Sequence, residues 1–298
     1  MALTAMLRIC YRLFVGVALL VTTGWAGPRV ASEYRDYRIH LSPWRPSGSV
    51  ANGILVPVRI NSGALLHLVL DSGASGITLN SNAARQLRLE TVAETRIAGL
   101  GKGRDVVARI ARADSVAIGE LQFQDCLVNI VTGELTREAD GVIGTRFFEA
   151  FRILLDASAR ELRLEAFPEQ HNTGENNPEH LLFVRARVNG NEEGLFLVDT
   201  GSAVTSLASD VAWPSAMTGT TANLAGVAGA IPEAKQLAPV SLEIGGRKVV
   251  EHKPVALNLE AISRRNGIKV AGILGYSVLS RTRVTFDYRE GRVELSSR

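Results

Sequence analysis

The sequence contains little cysteine and few aromatic residues. Its 298 residues include two cysteines, and Phe, Trp and Tyr together make up 6% of the chain. Cys10 lies in an N-terminal segment that we expect to be removed, which leaves Cys126 as the only thiol. No disulfide can then form within the mature chain. Stability must therefore come from the packing of an apolar core.

The chain also lacks a strong charge of either sign. Its formal net charge is +3, and its arginines are scattered, without a basic block or interleaved aromatic residues. This pattern gives no support for nucleic-acid binding. Hydrophobic residues make up 46% and charged residues 21% of the chain, proportions typical of a well-buried globular protein. The length allows two ordinary domains or one large domain.

No motif for a metal ion, a bound phosphate or a nucleophilic serine is present. The histidines show neither a His-x-x-x-His spacing nor a pairing with cysteine, so we expect no metal ion and no cofactor. The segment Gly73–Gly76 has the wrong spacing for the Gly-x-Ser-x-Gly elbow of serine hydrolases. The glycine-dense stretch Ile97–Gly103 is not followed by the Lys-Ser/Thr and helix of a phosphate-binding loop.

The N-terminus has the pattern of a secretory signal, although it contains no long hydrophobic run. Arg8 and Arg12 supply positive charge, Leu13–Val21 is a short apolar run, and residues 24–26 form a small-residue cleavage site. The run is too short for a typical membrane span. We therefore predict that residues 1–26 are a signal peptide and that the mature protein is secreted or periplasmic. The alternative is an uncleaved anchor that holds a soluble domain outside the membrane, and only then would the protein contact a membrane.

Two copies of an Asp-(Ser/Thr)-Gly tripeptide stand where apolar, strand-like segments end. One copy occupies residues 71–73 after Leu-His-Leu-Val-Leu, and the other occupies residues 199–201 after Leu-Phe-Leu-Val. Either copy alone would suit a simple turn after a strand. Two carboxylates a few ångströms apart, in contrast, share one proton and can activate a water molecule held between them. The pair therefore predicts water activation by Asp71 and Asp199.

The residues beside the two aspartates suit this chemistry. The hydroxyl groups of Ser72 and Thr200 are placed to brace the two loops against each other. Gly73 and Gly201 allow the backbones to approach closely and to point N–H groups at the carboxylates. We predict these four residues to be the bracing set of the site.

The chain repeats itself with a nearly constant offset. Five pairs of corresponding residues are separated by 126 to 131 positions. These pairs are Asp71 and Asp199, Gly99 and Gly226, Gly119 and Gly245, Gly144 and Gly275, and Asp156 and Asp287. In both halves an asparagine that begins a turn lies 10 residues before the aspartate. The sequence therefore predicts a tandem duplication of one mostly β unit.

Polar segments rich in turn-forming residues mark the boundaries of the two units. Residues 27–49 contain three prolines and few apolar runs, so we expect an irregular lead-in. Residues 167–178 have the composition of a polar linker. The two units are then residues 50–166 and 179–298.

This arrangement resembles the pepsin-like and retroviral-type aspartic protease superfamily over about residues 50–298. Each unit is similar to one retropepsin lobe, with a hairpin, the Asp motif, a glycine-rich flap, an apolar-apolar-Gly segment (Val142–Gly144 and Ile273–Gly275), a short helix and a final hairpin. The short units look closer to bacterial retropepsin-like proteins than to secreted pepsins. The resemblance implies an all-β, bilobed fold, in which two homologous acid-protease β-barrel lobes are related by a pseudo-twofold axis around a central cleft.

The resemblance also implies roles for individual residues. Asp71 and Asp199 would be the catalytic aspartates, one from each lobe. The glycine-rich tips would form flaps over the substrate, but neither contains the aromatic residue that pepsin-like enzymes carry there. The implied flap residues are Gly99, Leu100, Gly101, Gly226 and Val227.

We therefore expect an aspartic endopeptidase that hydrolyses a peptide or protein substrate with a water activated between Asp71 and Asp199. Neither a metal ion nor a cofactor is needed for this reaction. The alternative is a non-catalytic protein that keeps the fold to bind an extended peptide or a cell-envelope ligand. A third arrangement keeps the enzyme but pairs lobes between two chains.

The other prominent residues have structural interpretations. Asp140 corresponds to Ala271 in the second half, so we expect it to act in a turn and not in catalysis. Asp156 and Asp287 correspond to each other, and both are expected to form turns in the last hairpins. The adjacent phenylalanines 147–148 are expected in the core.

Overall fold

The computed structural model describes residues 28–46, 50–99, 105–133, 135–136, 138–167, 181–191, 193–210, 217–222, 224–226, 229–231 and 234–297. The predicted signal peptide and nearly all of the predicted linker lie outside this set, as do the predicted flap residues Leu100, Gly101 and Val227. Among the described residues, no helix has both the length and the apolar character needed to cross a bilayer.

Short strands form most of the regular structure of the lead-in and the first half. Within the described residues these strands are β1 (Arg29–Val30), β2 (Tyr37–His40), β3 (Ser42–Trp44), β4 (Gly53–Ile60), β5 (Leu65–Asp71), β6 (Ile77–Leu79), β7 (Glu90–Ile97), β8 (Val106–Ile118), β9 (Leu121–Val131), β10 (Gly141–Gly144), β11 (Phe151–Asp156) and β12 (Glu161–Ala166). Helix α1 (Ser81–Leu87) and a 3₁₀ helix (Thr145–Phe148) accompany them.

The second half repeats this pattern. Its described strands are β13 (Phe183–Val188), β14 (Glu193–Val198), β15 (Ser206–Ala208), β16 (Met217–Thr221), β17 (Leu224–Gly226), β18 (Gly229–Ile231), β19 (Lys235–Leu237), β20 (Val240–Ile244), β21 (Arg247–Glu251), β22 (Val255–Leu257), β23 (Val270–Leu274), β24 (Arg283–Asp287) and β25 (Arg292–Ser296). The helices are α2 (Glu260–Asn266) and α3 (Tyr276–Leu279).

Each half is built around its own nine-stranded sheet. The first sheet has the order β1-β9-β6-β10-β5-β4-β8-β7, with β3 paired to β4. The second has the order β16-β19-β22-β15-β23-β14-β13-β20-β21, and β17 and β18 form a separate hairpin beside it. A five-stranded sheet, β2-β12-β11-β24-β25, contains strands from both halves. The predicted all-β architecture with two homologous lobes is confirmed.

The hairpin that leads to each aspartate follows from local sequence. In β4, the alternating residues Ile54, Val56, Val58 and Ile60 are at most 3% exposed, as period-two burial requires. The turn that follows begins at Asn61, whose φ of 47° is left-handed. This conformation matches the tight turn that suits the twist of a hairpin. Asn189 has a φ of 51° at the corresponding turn of the second half.

The two turn asparagines also fasten the hairpins to a neighbouring strand. Asn61 Oδ1 accepts a hydrogen bond from Ser115 N at 2.9 Å, and Asn189 Oδ1 accepts one from Ser241 N at 2.8 Å. Because the same contact occurs in both halves, it supports the duplication independently of the aspartate motif.

Two prolines account for a difference between the halves. Strands β8 and β9 form one uninterrupted hairpin of 13 and 11 residues. In the second half, the corresponding arms are divided into β19 and β20, and into β21 and β22, while the pairing register continues across the interruption. Pro239 and Pro254 lie in the gaps. Proline has no N–H to contribute to the ladder, so the pairing breaks there.

The lead-in forms three strands, which corrects the prediction that it is irregular. Strand β1 pairs with β9, β2 with β12, and β3 with β4. Tyr37, Ile39 and Leu41 are at most 4% exposed, so alternate residues of this segment enter the core. The prediction was wrong because each strand is only two to four residues long. Moreover, Pro43 lies in β3, an edge strand, where proline is tolerated.

Reciprocal contacts join the two halves within the five-stranded sheet. Strand β11 runs antiparallel to β24. Arg152 Nε lies 3.4 Å from Asp287 Oδ2, and Arg283 Nε lies 2.8 Å from Asp156 Oδ2. Each arginine thus reaches the aspartate of the other half, as an approximate twofold axis requires.

The same two aspartates close the turns that were predicted for them. Asp156 Oδ1 accepts hydrogen bonds from the backbone N–H groups of Ser158 and Ala159, and Asp287 Oδ1 accepts them from residues 289 and 290. Partial burial acts to raise the pKa of Asp156, but the hydrogen bonds from Ser158 and Arg283 outweigh it and hold that pKa below its usual value. One oxygen therefore serves the turn and the other serves the contact between the halves.

The aromatic pair after β10 lies in the core, as predicted. Phe147 is 6% exposed and Phe148 is 0% exposed. Both rings pack edge-on against Phe123, with centroids at 4.6 and 6.2 Å. Cys126 is also buried, and burial raises the pKa of its thiol to about 12, so it remains a neutral packing residue.

The burial of the lead-in generates a stability prediction. We expect Ile39→Ala to lower the free energy of unfolding by about 2–4 kcal/mol, because it removes a buried side chain and leaves a cavity. Arg38→Ala is the matched control, since Arg38 is exposed and lies 3.6 Å from Glu161, and it should change stability by less than about 1 kcal/mol. Urea denaturation of both variants measures the difference. Equal effects would mean that β2 is not part of the core.

Candidate active site

Parallel strand pairing brings each aspartate to the end of a central strand. Strand β10 runs parallel to β5, with Gly144 opposite Asp71. Strand β23 runs parallel to β14, and Asp199 N donates a hydrogen bond to Leu274 O at 3.0 Å. Each apolar-apolar-Gly segment is therefore the strand that supports an aspartate loop from one side.

Glycine at the end of each supporting strand is required by close backbone contact. A Cβ on Gly144 would lie 2.2 Å from Ala74 O, and a Cβ on Gly275 would lie 2.2 Å from Val204 O. Ala74 and Val204 each belong to the loop that carries the aspartate of the same half. No larger residue fits without displacing that loop, because such distances are far inside van der Waals contact.

Four hydrogen bonds brace the two aspartate loops against each other. Ser72 N donates to Thr200 Oγ1 at 3.0 Å, and Thr200 N donates to Ser72 Oγ at 3.0 Å. Each hydroxyl also donates to a backbone carbonyl of the opposite half: Ser72 to Val198 O and Thr200 to Leu70 O, both at 2.8 Å. Ser72 is 3% exposed and Thr200 is 2% exposed. The structure thus brings the four predicted bracing residues to one place, and the brace is buried and reciprocal.

The two carboxyl groups meet above this brace. Gly73 N donates to Asp71 Oδ1 at 2.8 Å, and Gly201 N donates to Asp199 Oδ1 at 2.9 Å. A Cβ on Gly73 would lie 3.1 Å from Asp71 Oδ1 and 3.2 Å from Asp199 Oδ1, so both oxygens border one small space. A pair of carboxyls with fixed backbone donors is the arrangement that can polarise a water molecule.

Comparison with known proteins agrees with this geometry. The model of a family described as aspartyl protease matches residues 56–147, from β4 to the 3₁₀ helix, including the first aspartate loop. The solved structure of an aspartic proteinase from Irpex lacteus superposes with a TM-score of 0.54 over 88% of this chain and 97% of that chain, at 13% identity. The first half therefore matches this family in sequence, and the chain as a whole has the fold of an aspartic protease. The structural likeness extends the shared fold across both halves, beyond the part that the family model matches. No curated protein matches the sequence.

The surroundings of Asp71 and Asp199 change the pKa values of both carboxyl groups. Burial is the main cause that raises the pKa of Asp71 well above its usual value, and the charge of Asp199 adds to it. Burial also raises the pKa of Asp199, against the hydrogen bonds from Asp71 and from backbone N–H groups, which lower it. Because the two groups lie so close together, they share a proton and titrate as a unit.

The flap predictions are only partly within the described residues. Gly99 lies just after β7 and is exposed, and Gly226 ends β17 in the small separate hairpin. Leu100, Gly101 and Val227 lie outside the described residues. The roles of these residues toward a substrate stay a prediction.

Asp140 has the structural role that its unmatched position suggested. Its Oδ2 accepts a hydrogen bond from His67 N at 2.8 Å, while its backbone N–H donates to His67 O at 2.9 Å. It lies at the opposite end of β5 from Asp71. Across the described part of the chain, no three His, Cys, Asp or Glu residues are grouped so as to hold a metal ion.

Sequence reasoning missed one polar residue that supports the site. Thr205 is 0% exposed, its Oγ1 accepts a hydrogen bond from Gly275 N at 3.1 Å, and it also contacts Ser277 Oγ at 3.1 Å. Thr205 corresponds to Ile77 in the first half, 128 positions earlier. The sign of it in the sequence is a threonine in the second half at a position where the first half has an apolar residue.

The crowding at the second loop generates a prediction. A Cβ on Gly201 would lie 2.4 Å from Asp71 Cγ, so Gly201→Ala must displace the carboxyl group. We expect peptide cleavage to fall at least ~100-fold, since a shift of about 1 Å in a catalytic group has effects of that size. A Cβ on Gly133 meets nothing within 4 Å, and Gly133→Ala should retain activity within about twofold. Circular dichroism checks that both variants fold, and full activity in Gly201→Ala would contradict the geometry.

Proposed function

We propose that this protein is an aspartic endopeptidase that uses a water molecule activated between Asp71 and Asp199. The match of residues 56–147 to an aspartyl protease family and the fold shared with an aspartic proteinase support a protease function in general. The observation that carries the specific proposal is the reciprocal Ser72–Thr200 brace beneath two carboxyl groups that border one small space. A single structural carboxylate would need neither a matched partner nor a buried brace.

The proposed chemistry follows from the shared proton. The ionised carboxylate takes a proton from the water as the water oxygen attacks the carbonyl carbon of the scissile peptide bond. The protonated carboxyl gives its proton to the carbonyl oxygen, which forms a neutral tetrahedral diol. The carboxyl that took the water proton gives it to the amide nitrogen, and the C–N bond breaks to release the amine. One hydroxyl of the diol returns its proton to the other carboxylate as the acid forms. The pair ends with one proton, as it began.

The substrate would be an extended peptide, because the two aspartates end strands of two different sheets, between which an extended segment can lie. An extended segment can pair its backbone with an exposed strand edge, which gives affinity independent of side chains. Strand β7 forms one edge of the first sheet, and most of its residues are exposed. The residues around β7 therefore support binding of a peptide or protein substrate.

The acidity of the pair implies a bell-shaped pH dependence. Below the lower pKa both groups are protonated and the base is lost; above the upper pKa both are ionised and the acid is lost. Because burial and the charge of Asp199 raise the pKa of Asp71, the alkaline limit moves upward from the range of ordinary carboxyls.

Cleavage of a peptide library between pH 3 and 8 tests the proposal. We expect Asp71→Asn and Asp199→Asn each to reduce cleavage by at least ~1,000-fold, because each removes one of two cooperating groups. Asp140→Asn is the matched control, since the amide keeps an oxygen that can accept the hydrogen bond from His67 N. It should cleave at the wild-type rate.

The outcomes of this experiment separate the two functions. Cleavage that is lost in the two dyad variants and kept in the control supports the endopeptidase. Folded wild-type protein that cleaves nothing, but binds extended peptides equally well after both dyad substitutions, would establish the non-catalytic binding protein instead.

We also propose that the protein acts outside the cytoplasm after removal of residues 1–26. The charged, apolar and small-residue segments of the N-terminus support this location. N-terminal sequencing of the protein recovered from a secreting host should begin at Gly27. An intact N-terminus in the membrane fraction would support the uncleaved anchor instead.

A further inference from the structure

The two aspartates of the pair do not have equivalent surroundings. Backbone N–H groups of Gly201 and Ser202 both donate to the carboxyl of Asp199, whereas that of Gly73 donates to the carboxyl of Asp71. The two bonds to Asp199 Oδ1 are 2.9 and 3.2 Å long, and the single bond to Asp71 Oδ1 is 2.8 Å long. Since N–H donors stabilise a carboxylate, the negative charge is better accommodated on Asp199.

Asp71 is also the more tightly enclosed of the two carboxyls. A Cβ on Gly201 would lie 2.4 to 2.7 Å from all three atoms of the Asp71 carboxyl group, whereas a Cβ on Gly73 would lie at least 3.1 Å from either carboxyl. The backbone of the second half therefore packs directly against Asp71. Close packing excludes water from that side and favours the neutral form.

A tyrosine from the second half binds the segment that lies beside Asp71. Thr145 follows Gly144, the residue opposite Asp71 in the parallel pair, and is 0% exposed. Its Oγ1 lies 2.6 Å from the hydroxyl of Tyr288. This hydrogen bond joins residues 143 positions apart and ties the supporting segment of the first half to the second half.

The tyrosine is held in place by the contacts between the halves. Tyr288 follows Asp287, whose two oxygens bind Arg152 and the N–H groups of the next turn. Its ring packs, partly buried, against the main core. The position of its hydroxyl is thus set by the five-stranded sheet and not by the aspartate loops.

The corresponding position in the repeat has no such pair. With the offset of 131 residues that relates Gly144 to Gly275, Thr145 corresponds to Tyr276 and Tyr288 corresponds to Ala157. In the corresponding pair, Tyr276 takes the place of Thr145 and Ala157 takes the place of Tyr288. Alanine has no hydroxyl group, so this pair forms no such hydrogen bond. The second half thus lacks the Thr–Tyr hydrogen bond that supports the segment beside Asp71.

We propose that Tyr288 is a positioning residue that holds the Gly144–Thr145 segment against Asp71 and so keeps the shared proton of the pair on Asp71, with Asp199 as the base. This inference rests on the proposed endopeptidase mechanism for its kinetic test. It assigns different roles to two groups that the repeat makes formally equivalent.

The charged and titratable groups around Tyr288 are consistent with this role. Burial is the largest cause that raises the pKa of the Tyr288 phenol; the hydrogen bond to Thr145 and the charge of Arg146 lower it, and the charges of Asp71 and Glu149 raise it. Arg146 and Glu149 form an ion pair at 2.8 Å, so their charges largely compensate. Asp71 is the other acid whose charge acts on Tyr288, and the phenol stays neutral throughout the pH range of the reaction.

The pH profile of peptide cleavage tests the role of the hydroxyl. In Tyr288→Phe the ring remains but the hydrogen bond is lost, so water gains access to Asp71 and stabilises its ionised form. We expect the alkaline limb of kcat/KM to move to lower pH by about 0.5 unit or more, while the acid limb stays in place. Thr145→Val should give the same shift. The double variant should add nothing, because both substitutions remove one interaction.

Tyr276→Phe is the matched control. It removes a hydroxyl from the corresponding tyrosine, which has no threonine partner of this kind, and its alkaline limb should coincide with that of the wild type. A purely structural role of Tyr288 would lower the rate equally at all pH values. A uniform loss, or an equal shift in Tyr276→Phe, would overturn the proposal.

An NMR titration tests the proton assignment without any need for cleavage. In protein labelled with 13C at the aspartate carboxyls, and assigned with the two Asn variants, the last proton to leave the pair should be on Asp71. In Tyr288→Phe that step should move to lower pH. If Asp199 holds the last proton, the inference is wrong. If the titration behaves as expected but no peptide is cleaved, the inference stands and the proposed function fails.

Discussion

The buried brace between Ser72 and Thr200 is the interaction on which the rest of the structure depends. Each residue donates its N–H to the other's hydroxyl and its own hydroxyl to a carbonyl of the opposite half. Every polar group involved is satisfied, which a buried position requires. The parallel supporting strands, the glycines without room for a Cβ, and the five-stranded sheet all serve to bring the two loops to this distance.

Much of this arrangement could be predicted from the sequence, because the duplication doubles every signal. One Asp-Ser-Gly is ambiguous, but a second at the same place in a repeated order of strands is not. The hairpins before Asp71 and Asp199, the supporting segments that end at Gly144 and Gly275, and the last hairpins follow from alternation and turn residues. These are local patterns, and local patterns are what a sequence displays directly.

The features that the sequence did not reveal depend on contacts between distant segments. Strand β2 is too short for its alternation to stand out, and its partner β12 lies more than 100 residues away. Arg152 and Arg283 look like ordinary surface residues until β11 and β24 are paired. The hydrogen bond between Thr145 and Tyr288 has no counterpart at the corresponding positions of the repeat. A comparison that looks for what the two halves share therefore does not find it.

The distance along the chain between the braced residues has a consequence for synthesis. Ser72 and Thr200 are 128 positions apart, and Asp287, at the end of β24, pairs with the first half close to the C-terminus. A chain emerges from the ribosome or a translocation channel N-terminus first, so Asp71 is released long before its partner. The paired carboxyl site therefore does not exist in a nascent chain. Its assembly must wait until the second aspartate loop has been synthesised, which separates the making of most of the polypeptide in time from any ability to cut one.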